Sequence, residues 1–494
     1  MKGFRLQIVG YSILFFLFTI AHPLSTAYAV TDPLQVPNNK FGVHIISTSD
    51  EELNMAASLV NSTNGDWGYV TLVIEDHDRD TKKWQKVFDK LRTLHLIPIV
   101  RLATHPVGNA WVKPSESEPQ NWADFLNSLN WPAQNRYVVV YNEPNHALEW
   151  GGSVDPIYYA QVLNQTIDSL KAKSDDFFVL NAGFDASAPS ETPNYQDQLT
   201  FMQTMQNTVP GIFEKLDGWV SHSYPNPGFV GLPTGNGRGS VRTWLWEEQV
   251  LRNLGIKKDL PIFITETGWK HAEGQIYNPN FPTAEVTGNH YKIAFENAWN
   301  DPKIVAVTPF ILNYPQPPFD HFTLQNTASF EVLQKIAKNI GQPFQQTLAQ
   351  FSSVPFPTVT LVNQTYPVKL TVKNIGQSIW GEKGPIRLVA QKGSELGISA
   401  LSLPQGFKIS PGEEYTFEFN VKAPQSGHYE AILNMYQGDY EFENGPIKLN
   451  FEAQSEFMLF AKKHLPKILQ PLAQKLDDTL INRKLTYSDI NDHS

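Results

Sequence analysis

The sequence predicts an α/β protein in which a (β/α)8 TIM barrel is followed by an immunoglobulin-like β-sandwich. From about residue 41 to 340, apolar runs of β type alternate with longer amphipathic segments, and this alternation is typical of a parallel sheet covered by helices. Eight such runs occur in this region, and eight strands close a barrel of this type. After Gln342 the pattern changes to short alternating strands separated by turn residues, which predicts a second, all-β domain.

The predicted barrel elements follow one another in regular order. The strands are predicted at Phe41–Ile46, Tyr69–Ile74, Ile97–Leu102, Tyr137–Tyr141, Phe178–Asn181, Trp219–His222, Ile262–Thr265 and Val305–Ile311. Helices are predicted at Thr81–His95, Pro156–Lys173, Val241–Leu254, Thr287–Trp299 and Ser329–Ile340. Asp155 followed by Pro156 is typical of a helix start, because aspartate caps free N–H groups and proline suits the first turn. Gly255 is typical of a helix end.

The first 29 residues have the pattern of a secretory signal peptide. Lys2 and Arg5 give a positive start, an apolar stretch follows from Ile13 to Ile20, and Ala27-Tyr28-Ala29 matches a small-x-small cleavage site. We therefore expect a secreted, extracellular protein with no membrane span after cleavage, and association with the cell surface stays open. An uncleaved membrane anchor is the alternative, which the shortness of the apolar stretch disfavours.

Composition excludes several classes of partner and site. The chain contains no cysteine, so disulfides and thiolate metal sites are excluded. A formal net charge of -10 at pH 7 removes the general attraction to phosphate backbones, and nucleic acid is not an expected partner. The sequence has no dinucleotide-binding loop, phosphate loop or serine elbow, and no cofactor is expected.

Domain boundaries follow from the changes of pattern. Residues 30–345 are assigned to the barrel, 355–452 to the β-sandwich and 453–494 to a C-terminal tail. The sandwich strands are predicted at Val368–Val372, Ile386–Ala390, Tyr415–Val421 and Tyr429–Met435. This region resembles the immunoglobulin-like module named after the next-to-BRCA1 protein, through Lys373-Asn374-x-Gly376-x-x-x-Trp380, Pro411-Gly412-Glu413 and Ala423-Pro424-x-x-Gly427-x-Tyr429. The resemblance implies a supporting or binding role.

Two barrel strands end in glutamates at the edge where active sites of such barrels lie. The fourth predicted strand leads directly into Asn142 and Glu143, and the seventh leads into Glu266. A carboxylate at the end of a buried strand is costly to desolvate, so these glutamates need partners and are poor candidates for ordinary surface residues. Strands four and seven lie three positions apart around the ring, which lets the two carboxyl groups face each other. Such a pair suits glycoside hydrolysis, which needs an acid and a second carboxylate on either side of one bond.

In strand order and motif, about 300 residues of the chain resemble clan A of the glycoside hydrolases, families 39 and 5 in particular. The resemblance implies a retaining mechanism in which Glu143 is the acid/base and Glu266 the nucleophile. It also implies that Asn142 hydrogen-bonds the sugar 2-hydroxyl, that Tyr224 holds the nucleophile and that His222 lines the pocket. Packing alone is the alternative role for His222.

Two features depart from the clan pattern. The arginine that contacts the nucleophile usually ends strand two, whereas Arg101 ends the third predicted strand. The clan often has a tryptophan on strand eight, where this chain offers Phe310 or Tyr314 instead. Four aromatic side chains near strand ends could stack on a sugar ring, namely Trp111, Trp150, Trp269 and Tyr314. Trp269 is preferred because it follows the nucleophile closely.

Three alternatives remain at this stage. The run Glu75-Asp76-His77-Asp78-Arg79-Asp80 could hold a metal, but a solvated loop or a sugar-binding rim is preferred, and no metal is expected. The barrel could bind a polysaccharide without cleaving it, although such a protein would be free to lose either glutamate. A structural envelope protein would explain the sandwich and leave the glutamates unexplained. The favoured prediction is a secreted glycosidase that acts on an oligo- or polysaccharide.

Overall fold

A computed structural model describes residues 30–37, 39–337, 340–352, 354–477 and 479 of the chain. The signal peptide predicted at residues 1–29 lies outside the described residues. The described chain forms a parallel eight-stranded barrel with helices on its outside, followed by a domain of two packed β-sheets. The predicted fold class is confirmed.

The barrel contains eight of the ten strands between residues 40 and 307. The strands are β1 (Lys40–His44), β2 (Gly68–Glu75), β3 (Leu96–Ala103), β4 (Pro106–Val107), β5 (Ala110–Trp111), β6 (Arg136–Val139), β7 (Phe177–Leu180), β8 (Trp219–His222), β9 (Ile262–Glu266) and β10 (Ile304–Val307). β4 and β5 form a separate hairpin, and the barrel order is β7-β6-β3-β2-β1-β10-β9-β8. A parallel bridge from Leu180 to Gly218 joins β7 to the start of β8 and closes the ring.

Eight helices accompany the barrel strands. They are α1 (Asp50–Val60), α2 (Thr81–Thr93), α3 (Glu118–Asn127), α4 (Pro156–Lys173), α5 (Gln198–Thr208), α6 (Thr243–Asn253), α7 (Ala284–Glu296) and α8 (Ala328–Ile336). Helix α4 begins as predicted, because the Asp155 side chain accepts a hydrogen bond from the Tyr158 N–H and Pro156 occupies the first turn. Gly255 follows α6 with a φ of 88°, a conformation that glycine adopts without strain.

Alternate residues of the barrel strands enter two different cores. Tyr69, Tyr137 and Phe263 belong to a cluster inside the barrel, whereas Val70 and Val138, their neighbours in sequence, pack with the helices outside. Both faces of these strands are therefore apolar, as expected for a parallel sheet covered by helices. The barrel interior is filled, so polar chemistry is confined to its ends.

Several predicted boundaries differ from the observed ones, and contacts at the barrel mouth and at a helix cap explain two of them. β10 ends at Val307 rather than at Ile311, because Phe310 and Ile311 leave the sheet and pack with Phe322 at the barrel mouth. The helix predicted to start at Thr287 begins at Ala284, since the Thr283 side chain accepts a hydrogen bond from the Val286 N–H and caps the helix there.

The second domain is built from two sheets around a common core. Its strands are β11 (Ala349–Phe351), β12 (Val359–Leu361), β13 (Thr365–Asn374), β14 (Ile386–Lys392), β15 (Leu401–Ser402), β16 (Glu414–Lys422), β17 (Gly427–Gln437), β18 (Tyr440–Glu441) and β19 (Ile447–Gln454). One sheet has the order β11-β13-β16, and the other has the order β12-β19-β17-β14-β15 with β18 paired to β17. Trp380 is fully buried in the core between them. Each of the four predicted strands lies within an observed one.

The sandwich packs against the end of the barrel at which the strands begin. The Asn130 side chain donates to the carbonyl oxygen of Gly376 at 2.9 Å, and the Gln377 side chain donates to the carbonyl oxygen of Ala133 at 2.9 Å. Asn130 and Ala133 both lie in the loop before β6. The carboxyl ends of the barrel strands therefore point away from the sandwich.

His95, immediately before β3, links the two domains by charge. Its Nδ1 lies 2.6 Å from Oδ1 of Asp66, and its Nε2 lies 3.5 Å from Oε2 of Glu382 in the sandwich. The imidazole stacks on the ring of Trp67 with 4.6 Å between ring centroids. These contacts raise the pKa of His95 to about 9, with the hydrogen bond to Asp66 as the largest cause.

After the sandwich the described chain continues into helix α9 (Glu456–His464). The helix ends before Pro466, whose ring cannot continue it. Within the described part of the chain, the model contains no helix that combines the length and apolar character needed to cross a membrane.

Candidate active site

Glu143 reaches the barrel mouth through a tight turn after β6. Tyr141 has a φ of 70° and Glu143 a φ of 29°, values that residues with side chains rarely adopt. The Glu143 N–H donates to the carbonyl oxygen of Gly183 at 3.0 Å, which holds the turn. Left-handed non-glycine residues concentrate at functional sites, where the surrounding structure maintains the strain.

Glu266, the last residue of β9, has polar contacts on both carboxylate oxygens. The Tyr224 hydroxyl donates to Oε2 at 3.1 Å, and Nη1 of Arg101 lies 3.3 Å from Oε1. The side chain is only 10% exposed, so these contacts form in a region of low dielectric. The sequence left the role of Arg101 doubtful, and the structure places its guanidinium against Glu266 although β3 is the third barrel strand.

The surroundings of Glu266 favour its ionised form. Burial opposes ionisation, but positive charge on His222 and Arg101, together with the hydrogen bond from Tyr224, outweighs burial and holds the pKa of Glu266 below its usual value. Burial likewise opposes the charged form of His222, yet the neighbouring Glu266 and Glu143 raise the pKa of this imidazole. The neighbouring charges thus favour the ionised form of Glu266 and the protonated form of His222.

His222 bridges the two glutamates. Its Nδ1 lies 2.8 Å from Oε1 of Glu143 and 3.8 Å from Oε2 of Glu266. One carboxylate oxygen of each glutamate and a ring nitrogen of His222 all lie within 4.8 Å of one another. A Cβ on Gly183, in the loop after β7, would come within 2.1 Å of the His222 ring. The imidazole can therefore occupy this position only because residue 183 is glycine.

His44, at the end of β1, is a site residue that the sequence analysis missed. Its Nε2 lies 3.7 Å from Oε1 of Glu266, and complete burial lowers the pKa of His44 to about 3. His44 is therefore neutral near pH 7, whereas a proton on its ring in acid would favour the ionised form of Glu266. Neither ring nitrogen has a hydrogen-bond partner among the described residues, which leaves both available to a ligand. The predicted first strand ran to Ile46 and so placed His44 inside it.

The glutamates open into a cleft of about 640 Å³, within the usual size of a small-molecule site. Seven of the eight predicted site residues line it: Arg101, Asn142, Glu143, His222, Tyr224, Glu266 and Tyr314. The Asn142 amide nitrogen donates to Oε2 of Glu149 at 3.3 Å, while its buried carbonyl oxygen has no partner among the described residues. Asn142 thus offers an acceptor to a ligand hydroxyl.

Glu149, which the sequence analysis missed, adds a further carboxyl group to the cleft beside Glu143 and Glu266. Burial raises the pKa of Glu149 to about 6. It lies on a short 3-10 turn, Ala147–Glu149. Because Glu149 follows Glu143 by six residues, a spacing typical of neither helix nor strand, the sequence did not indicate that both line one cleft. His146 and Asp185 form an ion pair at the same rim, with 2.7 Å between Nε2 and Oδ2.

The prediction that Trp269 stacks on a sugar ring needs correction. Its side chain is 1% exposed, the indole packs against Tyr291 and Trp299, and its Nε1 donates to the carbonyl oxygen of Gly231 at 2.8 Å. No ring face is open to a ligand. After Glu266 the backbone turns outward and carries Trp269 into the layer between strand and helix.

Other aromatic residues line the cleft in its place. Trp111, Tyr314 and Phe310 face the cleft, and Phe310 meets His44 edge-on with 5.3 Å between ring centroids. Trp111 belongs to the β4-β5 hairpin, whose two-residue strands gave no signal in the sequence.

The acidic run after β2 forms a cluster beside the cleft. The Asp76 carboxylate lies 3.0 Å from Nδ1 of His105 and 3.6 Å from Nδ1 of His77. His77 also approaches the Glu75 carboxylate at 3.5 Å. His77 is 64% exposed, so these contacts lie in water at the rim and give no closed ligand cage.

No family model matches the sequence, and no curated protein matches it either. Solved structures resemble the fold at low identity. A family 39 glycoside hydrolase from Bacteroides cellulosilyticus WH2 is 13% identical, with a TM-score of 0.42 over 80% of this chain and 83% of that one. XacCel5A in complex with cellopentaose is 13% identical, with a TM-score of 0.40 over 60% of this chain and 99% of that one.

A third similar structure is the family 30 subfamily 8 xylanase Xyn30A from Clostridium acetobutylicum. It is 12% identical, with a TM-score of 0.38 over 79% of this chain and 96% of that one. Similarities of this strength assign no role to any residue of this chain.

Proposed function

We propose that this protein is a retaining glycosidase in which Glu266 is the nucleophile and Glu143 the acid/base. The observation that carries the proposal is the approach of the two carboxyl groups, whose nearest oxygens lie within 4.8 Å of each other. Retaining enzymes have carboxyl groups about 5 to 5.5 Å apart, whereas inverting enzymes leave about 6.5 to 9.5 Å for a water molecule. This close approach of the two carboxyl groups supports the retaining arrangement over the inverting one.

In the first step, an oxygen of Glu266 attacks the anomeric carbon while Glu143 gives its proton to the departing glycosidic oxygen. The glycosidic bond breaks, and an ester bond forms between Glu266 and the sugar. In the second step, Glu143 removes a proton from water, the water oxygen bonds to the anomeric carbon, and the Glu266 carboxylate leaves. Tyr224 and Arg101 hold the nucleophile ionised and oriented before attack.

A metal centre at the same residues is a weaker explanation. Glu143, His222 and Glu266 lie as close together as the ligands of a metal site. Arg101, however, places a permanent positive charge 3.3 Å from Glu266, and the pKa of His222 is raised, so its protonated ring would oppose a cation. The same charges support a carboxylate nucleophile.

The first test is removal of the nucleophile. Glu266→Ala should lower turnover of aryl glycosides by several orders of magnitude while circular dichroism stays unchanged, because binding energy alone does not replace an activated nucleophile. Glu285→Ala, at an exposed position of α7, is the matched control and should keep the turnover of the wild type. Near-normal turnover in Glu266→Ala would show the assignment to be wrong. A wild-type protein that binds polysaccharide but cleaves no glycoside would support the silent barrel instead.

The stereochemistry gives an independent test. NMR of the first-formed product should show the same anomeric configuration as the substrate, because two displacements at one carbon restore it. An inverted product would exclude a covalent intermediate on Glu266.

We also propose that the enzyme is exported and works on a saccharide outside the cell. The basic start, apolar stretch and cleavage site within residues 1–29 support this proposal. Expression with its own N-terminus should release a mature chain that begins at Val30. A cell-bound protein that keeps its first residues would favour a membrane anchor.

A further inference from the structure

Lys270 is a cation in the cleft that the proposed mechanism does not use. It lines the same cleft as Glu266 and follows that residue by four positions. Its Nζ lies 5.0 Å from the ring centroid of Phe229, 5.6 Å from that of Phe281 and 5.7 Å from that of Phe322. The backbone N–H of Lys270 donates to the carbonyl oxygen of Phe229 at 3.0 Å, which fixes the lysine over this aromatic group.

Ring faces attract a cation, but they do not replace a counter-ion. Among the described residues, no carboxylate forms an ion pair with Lys270, whereas the other cationic groups of the cleft each contact one. Arg101 contacts Glu266, His222 contacts Glu143, and His146 contacts Asp185. Lys270 is thus the cation of the cleft for which the described residues supply no anion.

The aromatic group also fixes the position of Lys270 relative to the proposed nucleophile. Phe229 and Phe322 pack edge-on against Tyr224, with centroids 5.0 and 6.2 Å from its ring. Tyr224 donates to Glu266, so a single aromatic layer separates Lys270 from the group that would attack the sugar. Because Lys270 and Glu266 line one cleft, the ammonium group lies beside the space that a sugar bound at Glu266, or the adjacent sugar, would occupy.

We propose that Lys270 binds an anionic group on the substrate and that the enzyme prefers acidic saccharides. The carboxylate of a uronic acid and the sulfate of a sulfated sugar share this chemistry, and either would form a charge-assisted hydrogen bond with the ammonium group. This inference rests on the proposed glycosidase activity, and it adds the substrate class.

The test compares aryl glycosides that differ only at carbon 6. Pairs of glucuronide and glucoside, and of galacturonide and galactoside, are assayed as both anomers, and the 6-sulfated sugars form a further arm. We expect the acidic member of the preferred pair to have a kcat/KM about ten- to hundredfold higher, which is the usual strength of a hydrogen bond to a charged group. If the uronic acids show the larger increase in kcat/KM over the neutral sugar, the site binds a carboxylate, and if the 6-sulfated sugars do, it binds a sulfate.

Lys270→Met isolates the charge because methionine keeps the apolar stem that packs on the phenylalanines. It should remove the preference by lowering kcat/KM for the acidic sugar much more than for the neutral sugar, and Lys270→Arg should restore part of the preference. Lys86→Met, at an exposed position of α2, is the control. An equal loss on both sugars, or a wild-type preference for the neutral sugar, would overturn the inference while leaving the proposed activity intact.

A binding measurement separates this inference from the proposed activity. Titration calorimetry with free glucuronic acid, galacturonic acid and their neutral counterparts needs no turnover. Tighter binding of an acid to the wild type than to Lys270→Met supports the anion site even if no glycoside is cleaved. Equal binding to both proteins counts against it.

Discussion

Replacement of His95 by glutamine tests the charge contact between barrel and sandwich. Glutamine retains hydrogen-bonding groups but carries no charge, so the variant removes the attraction of the imidazolium to Asp66 and Glu382. The folded protein raises the pKa of His95 from 6.5 to about 9, and the hydrogen bonds to these two carboxylates are the largest causes. Its stack on Trp67 adds a ring face that also favours the cation.

The size of the effect follows from this pKa. One unit of pKa corresponds to about 1.4 kcal/mol. The higher pKa of His95 in the folded than in the unfolded chain therefore stabilises the fold by at most about 3 kcal/mol. The His95 side chain is 31% exposed, and screening by water reduces this value to about 1 to 2 kcal/mol. The stabilisation is complete below pH 6.5, where both states bind the proton. It declines as the pH rises above 6.5 and is lost once the pH passes about 9.

Urea unfolding of wild type and His95→Gln, followed by circular dichroism at pH 6 and pH 9.5, measures this difference. The variant should be less stable than wild type by about 1 to 2 kcal/mol at pH 6, and the gap should shrink markedly at pH 9.5. His428→Gln, at an exposed histidine of β17, is the control and should show no such trend. A gap of equal size at both pH values would refute the assigned role of the imidazolium charge.

Two further predictions concern the cleft and the second domain. Arg101→Met removes a charge that lowers the pKa of Glu266, so the acid limb of the kcat/KM profile, expected below pH 4.5 in the wild type, should move to higher pH. An unchanged limb would contradict the electrostatic argument. Truncation after Gln345 should leave a barrel that still cleaves small aryl glycosides, because the sandwich contacts the end of the barrel opposite the cleft. A truncated protein that is folded by circular dichroism but inactive would contradict this prediction.

The barrel could be predicted because its signal is repeated along the chain. Each apolar run and each amphipathic segment supports the same fold, so an error at one element does not change the result. Helix α4 was predicted to the residue because Asp155 and Pro156 mark its start. Where the apolar run continues beyond the sheet, as after Val307, the sequence alone does not show that Phe310 and Ile311 pack at the mouth instead.

The candidate site was predictable only where a residue lies at the carboxyl end of a strand or shortly after it. Glu143, His222 and Glu266 satisfy this condition, and the structure brings them together. His44 satisfies it too, but the predicted strand was two residues too long. The direction of a side chain after the strand is set by the loop, which explains why Trp269 turned into the core while Lys270, its neighbour, lines the cleft.

The resemblance of residues 355–452 to the next-to-BRCA1 module stays a prediction. Two sheets and a buried Trp380 agree with a sandwich, but many sandwich families share these features. The role of this domain therefore depends on its surfaces rather than on its fold.

The position of the sandwich determines which way the cleft would face if the sandwich were attached to an insoluble surface. Asn130 and Ala133, which the sandwich contacts, lie at the base of the barrel, and the cleft opens at the top. If the sandwich adheres to a cell envelope or matrix, the open mouth faces outward toward incoming chains. Such an arrangement suits capture of saccharides from the surrounding medium better than digestion of the surface that holds the enzyme.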